Sequence, residues 1–428
     1  MKMKKTTVFA LALFSLNSWA VKLSDYRPFH FEALFTNPVC ATYSYDRPVT
    51  TESGKTVTSK PKNVYCKQSD EAASVSRQNS PQYRIVQWIS DRNTKELYLA
   101  YLSFSSKNVA DALCSAVKRG VKLTLVLDGG EDAANPAINK QAEALKKCGL
   151  QDLVSVTYRG SSGGLGFAHN KIMIVNPGSS VVGVVFSSGN MSGGTSINHE
   201  NWNFVTTSGE SYFAQAHKCV VDAMVVAGDT RANFTKNLNT CRSQIKAQPE
   251  SDIRVFFAPV DGATASNTIA DTANKSQQIE AMSHRLSGKL ADLFQKLLAA
   301  GKPIKFILDD DIYWSLKRRQ DIGRNTTVEA ATIYRDLISN GMQTKFLQTN
   351  QNVFQLQHNK FMIFHFSNGG AVFNGAGNFT SAAFTKNFEN FYLITIPGIV
   401  AAYKAQYDLY YNQMATAAED MPRDYVLP

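Results

Sequence analysis

"AHNKIMIVNPG", Ala168 to Gly178, opens a strongly apolar run with a histidine and a lysine two positions apart. "QHNKFMIFHFS", Gln357 to Ser367, repeats the pattern, and 189 residues separate His169 from His358. Side chains at i and i+2 of a strand share a face, so His169 pairs with Lys171 and His358 with Lys360. The tetrads that follow, "IMIV" and "FMIF", are apolar on both faces and read as central, buried strands. A charge at the head of such a strand needs a reason. Written twice, it indicates two copies of one unit.

Further residues recur in register with the histidines. Asn190 in "SSGNMSGG" and Asn378 in "GAGNFTSA" follow them by 21 and 20 residues. Glu200 in "NHENWNF" and Glu389 in "NFENFYL" both follow by 31. If the copies face each other, two lysines and two asparagine amides form a donor-rich cationic cradle. That suits a phosphodiester, whose phosphorus gathers negative charge in the transition state. Two histidines divide the remaining work, one attacking phosphorus and the other protonating the leaving oxygen. A glutamate accepting from each imidazole fixes its tautomer and orientation.

The residues around these sites alternate between strand and helix patterns. In the first copy, "YRIVQWIS" (83–90) and "ELYLAYLSFSS" (96–106) read as strands, and "KNVADALCSAVKRG" as a helix stopped by Gly120. "VKLTLVLDGG" is a strand, "INKQAEALKKCG" a helix stopped by Gly149, and "LVSVTYRG" a strand. The second copy offers a strand at 252–259, a long amphipathic helix over 279–301 and a strand in "PIKFILDDD". A helix in "TTVEAATIYRDLISNG" and a strand in "TKFLQTN" complete it. The pattern predicts an α/β fold of two tandem pseudo-symmetric α/β/α sandwich units with largely parallel or mixed central sheets, the active site at their interface. The expected segments are a signal peptide (1–20), a loop-rich disulfide-tied stretch (21–80), a first half (81–245) and a second half (246–428).

The duplicated His-x-Lys with its glycine-flanked asparagine resembles the phospholipase D superfamily, over the whole region from about residue 80. The resemblance implies a ping-pong reaction through a phosphohistidine, with neither metal nor other cofactor. It assigns nucleophilic attack to His169 and general acid/base work to His358. It also implies that the carboxylates cross over, Glu389 holding His169 and Glu200 holding His358. The superfamily pattern HxKxxxxD is broken here, because Asn176 and His365 stand at its last position. That aspartate is largely structural in the superfamily, bonding nearby backbone.

The bulk properties set the context. With 428 residues, 44% hydrophobic and 19% charged, the chain can bury a sizeable core. "MKMKKTTVFALALFSLNSWA" has a basic start, a short apolar stretch and small residues flanking Trp19, the layout of a secretory signal. It holds three lysines and no acid, so its removal lowers the formal net charge from +10 to +7. The six cysteines are expected to pair with their neighbours, 40–66, 114–148 and 219–241, in a secreted or periplasmic monomer. None has zinc-ligand spacing. Asp128 and Asp309 end equivalent strands and are expected to anchor loops rather than bind metal. "KRRQDIGR" (317–324) reads as a solvated basic face. The aromatic helix 397–414 reads as core.

The expected substrate is a phospholipid cleaved on its headgroup side, with transient contact at the membrane surface. A secreted nuclease using the same site is the alternative. A non-catalytic binder of phosphate-bearing polymers or lipids is the reading from a different class.

Overall fold

The computed structural model describes residues 30–148, 151–226, 230–246, 252–321 and 327–424. The expected signal peptide, Gly149, residues 322–324 of the basic cluster and residues 247–251 between the halves lie outside them.

Strands β1 (His30–Thr36), β4 (Glu96–Tyr101), β5 (Lys122–Asp128), β6 (Val154–Arg159), β7 (Lys171–Val175), β8 (Val181–Ser187) and β9 (Glu200–Ser208) form one sheet. Its order is β1-β9-β8-β7-β4-β5-β6. Strands β2 (Ser44–Thr50) and β3 (Thr56–Ser59) form a separate hairpin. The second sheet holds β10 (Ile253–Ala258), β11 (Gln278–Ser283), β12 (Ile304–Asp309), β13 (Gln343–Leu347), β14 (Lys360–His365), β15 (Gly370–Gly375), β16 (Glu389–Ile394) and β17 (Thr416–Ala417). Its order, β10-β16-β15-β14-β11-β12-β13-β17, repeats the first strand for strand and adds β17.

Both sheets are mixed, with more antiparallel than parallel pairings. Only β4–β5–β6 and β11–β12–β13 run parallel. Parallel neighbours need a crossover, which helices 107–118 and 140–146 supply in the first half and 289–299 and 328–339 in the second. The strands carrying the His-x-Lys pairs turn back directly into β8 and β15, and short returns make antiparallel neighbours.

Three expectations fail, each for a physical reason. Residues 83–90 lie in a helix, Pro81–Ser90, capped by Ser80, whose hydroxyl accepts from the Tyr83 amide at 3.1 Å. Ile85 and Ile89, four apart, are its buried stripe. Residues 279–301 are strand β11 followed by a shorter helix, Lys289–Ala299, with Gly288 at φ +60° between them. A strand buried on both faces has no alternation to separate it from a helix. The stretch expected to be loop-rich and strand-poor carries β1, β2 and β3, and β1 pairs along its full length with β9.

The core is layered. Helices 81–90, 107–118 and 140–146 pack outside the first sheet through Leu113, Leu125 and Met173, among others. Helices 262–275, 289–299 and 328–339 do the same for the second through Phe294, Phe306 and Tyr334. Helices 212–226 and 397–409 fill the space between the sheets, where Phe186 of β8 stacks on Tyr392 of β16 at 3.7 Å between ring centroids. Cysteines pair 40–66, 114–148 and 219–241, as expected.

Candidate active site

β7 and β14 are buried along nearly their whole length, and Lys171 and Lys360 are their first residues. Both lysines are fully buried. Each ammonium donates to the carbonyl of its own histidine, Lys171 to His169 at 3.0 Å and Lys360 to His358 at 2.9 Å. A turn-like lead-in therefore places His and Lys on one side of the strand's start.

The halves clasp each other around these residues. His169 Nδ1 lies 2.8 Å from Glu389, and His358 Nδ1 lies 2.8 and 2.9 Å from the oxygens of Glu200. Each carboxylate belongs to the opposite half. An ionised carboxylate only accepts, so both Nδ1 atoms carry the proton and both Nε2 atoms keep their lone pair.

Two asparagines complete each clamp. Asn390 Oδ1 accepts from the Lys171 amide and Asn201 Oδ1 from the Lys360 amide, each at 2.9 Å. Asn387 Oδ1 accepts from the Phe167 amide at 3.1 Å and Asn198 Oδ1 from the Leu356 amide at 3.0 Å. The sequence reading passed over these four. Their signal is the pattern Asn-x-Glu-Asn, "NHEN" and "NFEN", in both copies. Along one strand end, three side chains grip the opposite His-x-Lys segment at alternate positions.

Asn190 and Asn378 lie after β8 and β15, and their Oδ1 atoms are buried without a hydrogen-bond partner. A half-turn of the amide would put a donor in the same place for a phosphate oxygen. Asp128 accepts from the Ala168 amide and Asp309 from the Gln357 amide, both at 2.6 Å. Both anchor the lead-in to the histidines. Among the described residues the one cluster of possible metal ligands is Cys40, Cys66 and Asp70, whose two sulfurs form a disulfide.

Asn176 does what the resemblance assigns to the missing aspartate. Its Oδ1 accepts from the Lys95 and Glu96 amides at 2.7 and 3.2 Å, and its Nδ2 donates to Asn93. Its φ of +56° is one that asparagine tolerates better than most residues. His365 bonds to Glu280 at 2.9 Å instead.

The two sites also differ beside the lysines. By strand register Tyr101 faces Lys171 and Ser283 faces Lys360, so His284 and Arg285 stand where the first half has Leu102 and Ser103. The His284 ring meets His358 edge-on at 5.7 Å, and Arg285 pairs with Asp311 at 2.6 Å. Reading 279–301 as one helix hid this pair.

Burial controls the charges. It pushes Lys171 down to about 8 against the pull of Glu389, Glu200 and Asp128, and pushes Lys360 well below the ordinary lysine value, where the Lys171 charge adds to it. Burial likewise holds His358 down at about 4 and lowers His169, outweighing the carboxylate beside each. Glu200 is also lowered: burial raises it, but His358, Lys360 and Ser188 more than offset this.

An anion bound here would favour the protonated forms, so binding takes up protons. Affinity for tungstate, a phosphate mimic, is therefore expected to weaken as pH rises, His358 and Lys360 contributing at lower pH and Lys171 as pH passes about 8. Titration calorimetry in buffers of different ionisation enthalpy measures the uptake. Equal heats in all buffers would contradict it.

Paired α/β/α halves thus present one duplicated site, with crossed His–Glu pairs over buried lysines. The comparisons agree. The family model described as "Cardiolipin synthase, PLD-like domain" matches residues 87–223 and 268–410. The chain belongs to that family, within the phospholipase D superfamily. A search of curated proteins finds no match.

Among solved structures, phosphatidylserine synthase of Haemophilus influenzae Rd KW20 is similar at TM-score 0.56 and 14% identity, over 79% of this chain and 85% of that one. Polyphosphate kinase of Porphyromonas gingivalis is similar at TM-score 0.50 and 13% identity, over 79% and 50%. These likenesses show the fold.

Proposed function

We propose that this protein is a metal-independent phosphodiesterase of phospholipase D type that hydrolyses phospholipid headgroups after export. The observation that carries the reading is the crossed pairing of each histidine with the other half's glutamate above a buried lysine. The family's description, a cardiolipin synthase-like domain, supports a phospholipid as substrate.

The geometry supports the following roles, with the choice of His169 as nucleophile taken from the superfamily resemblance. Lys171, Lys360 and the amides of Asn190 and Asn378 hold the non-bridging phosphate oxygens. Glu389 orients His169, whose Nε2 attacks phosphorus as the bond to the headgroup oxygen breaks. That oxygen takes the Nε2 proton of His358, which His358 acquires as the anionic diester binds. The phosphorus is then bonded to His169. Next, His358 removes a proton from water, the water oxygen attacks phosphorus and the phosphorus–nitrogen bond breaks. His169 is restored, phosphatidic acid leaves, and His358 gives up the proton it took from water as the site empties. An alcohol in place of water at the second step would make the enzyme a transferase.

The test offers phospholipid vesicles and plasmid DNA together, with EDTA present. The expected result is release of headgroup alcohol with the plasmid intact. Nicked plasmid beside intact lipid would make the protein a nuclease. No turnover of either would favour a binding protein.

A further inference from the structure

Among the described residues, two aromatic side chains are exposed, Phe167 at 42% and Phe354 at 50%. Both precede a site histidine, Phe167 by two residues and Phe354 by four. Each sits where its lead-in loop meets the other half. The Phe167 amide bonds Asn387 and its carbonyl accepts from the Phe388 amide at 2.9 Å. Beside Phe354, Gln355 Nε2 donates to Ile197 at 2.9 Å and to Val64 at 2.7 Å. The neighbouring backbone is thus fixed by buried hydrogen bonds, while the rings stay in water next to a nearly closed site.

Phe354 is also held at φ +53°, a left-handed conformation that is unfavourable for a bulky residue. Such strain persists where the surroundings over-determine it, and it clusters at functional sites. Two exposed phenylalanines on equivalent loops admit two partners, the apolar zone of a lipid surface or unstacked nucleobases. Charge decides between them. The lead-in loops, 160–168 ("GSSGGLGFA") and 348–357 ("QTNQNVFQLQ"), contain no charged residue. A groove that stacks bases also tracks the phosphate backbone with lysine and arginine. A loop that enters a lipid surface does better without charge.

We propose that Phe167 and Phe354 are interfacial anchors, which enter the acyl zone of a phospholipid surface and bring the diester to the recessed histidines. The proposal builds on the phospholipid reading of the site. It adds that the substrate is met in an aggregated surface rather than as single dissolved molecules.

The test measures binding, so it stands apart from catalysis. Protein carrying His169→Ala is sedimented with vesicles of equal parts phosphatidylethanolamine and phosphatidylglycerol. Adding Phe167→Ser and Phe354→Ser is expected to lower partitioning by about tenfold or more, because two aromatic side chains no longer leave water. Val181→Ser, which removes an exposed apolar residue outside both loops, should leave partitioning unchanged. In a second measurement, the emission of Phe354→Trp should shift to the blue on adding these vesicles and should ignore single-stranded oligothymidylate.

Failure of the starting protein to sediment with vesicles, or unchanged partitioning in the double serine variant, would overturn the proposal. So would emission that responds to the oligonucleotide and not to vesicles, which would make the rings base-stacking platforms. Missing headgroup release by the unsubstituted protein, alongside the expected partitioning, would sink the catalytic reading and leave the anchors standing.

Discussion

His169→Ala is expected to lower turnover by roughly 10⁴-fold or more, because it removes the atom that bonds phosphorus. His358→Ala should cost roughly 10²–10⁴-fold on a natural headgroup, whose alkoxide cannot leave without a proton. The two variants separate on a diester with a p-nitrophenyl leaving group. Nitrophenolate needs no proton, so His358→Ala should still form the phosphohistidine and then stall, since nothing activates the water. The adduct on His169 can be read by phosphorus NMR or as the mass of its peptide. His169→Ala should form none. Wild-type turnover in either variant would remove the site assignment. An adduct on His358 in the wild type would exchange the two roles.

The second large effect concerns the carboxylates. Glu389→Gln and Glu200→Gln keep size and burial, but the new amide can turn a donor toward Nδ1 and release the tautomer. An equivalent change behind a catalytic histidine elsewhere lowers turnover by about 10⁴-fold, and a loss of roughly 10²–10⁴-fold is expected here. The crossing makes the test specific. Glu389→Gln should disturb the Nδ1–H resonance of His169, 220 residues away in sequence, and spare that of His358. Glu200→Gln should do the reverse. Unchanged melting temperatures would show that catalysis, not folding, is affected. Resonances that move within the same half would contradict the crossed arrangement.

The paired motifs were legible for a physical reason. His-Asn-Lys before a doubly buried strand sets charge against hydrophobicity, and a duplication makes every such conflict visible twice. The same comparison holds Asn198, Asn201, Asn387 and Asn390, which were readable but unread. Asn176 was noticed as a departure, yet only its bonds to the amides of residues 95 and 96 show that the anchoring survives.

Other features were masked by periodicity or missed. Periodicity cannot separate a fully buried strand from a helix, so β11 and the His284–Arg285 pair behind it stayed hidden. The helix at 81–90 depended on reading Ser80-Pro81 as a cap.

By itself, then, the sequence determined the duplication, the α/β class and the local cysteine pairing, and it singled out eight residues that the fold gathers at one place, because each rests on short-range pattern or on repetition. The tertiary structure alone decided the rest. Burial, a property of all neighbours together, sets the protonation of Lys171, Lys360 and His358. Packing of one half on the other brings about the crossing of glutamates that the resemblance implied but no local pattern shows. The same packing leaves Phe167 and Phe354 in water while the chain's other described aromatic residues lie buried or half-buried.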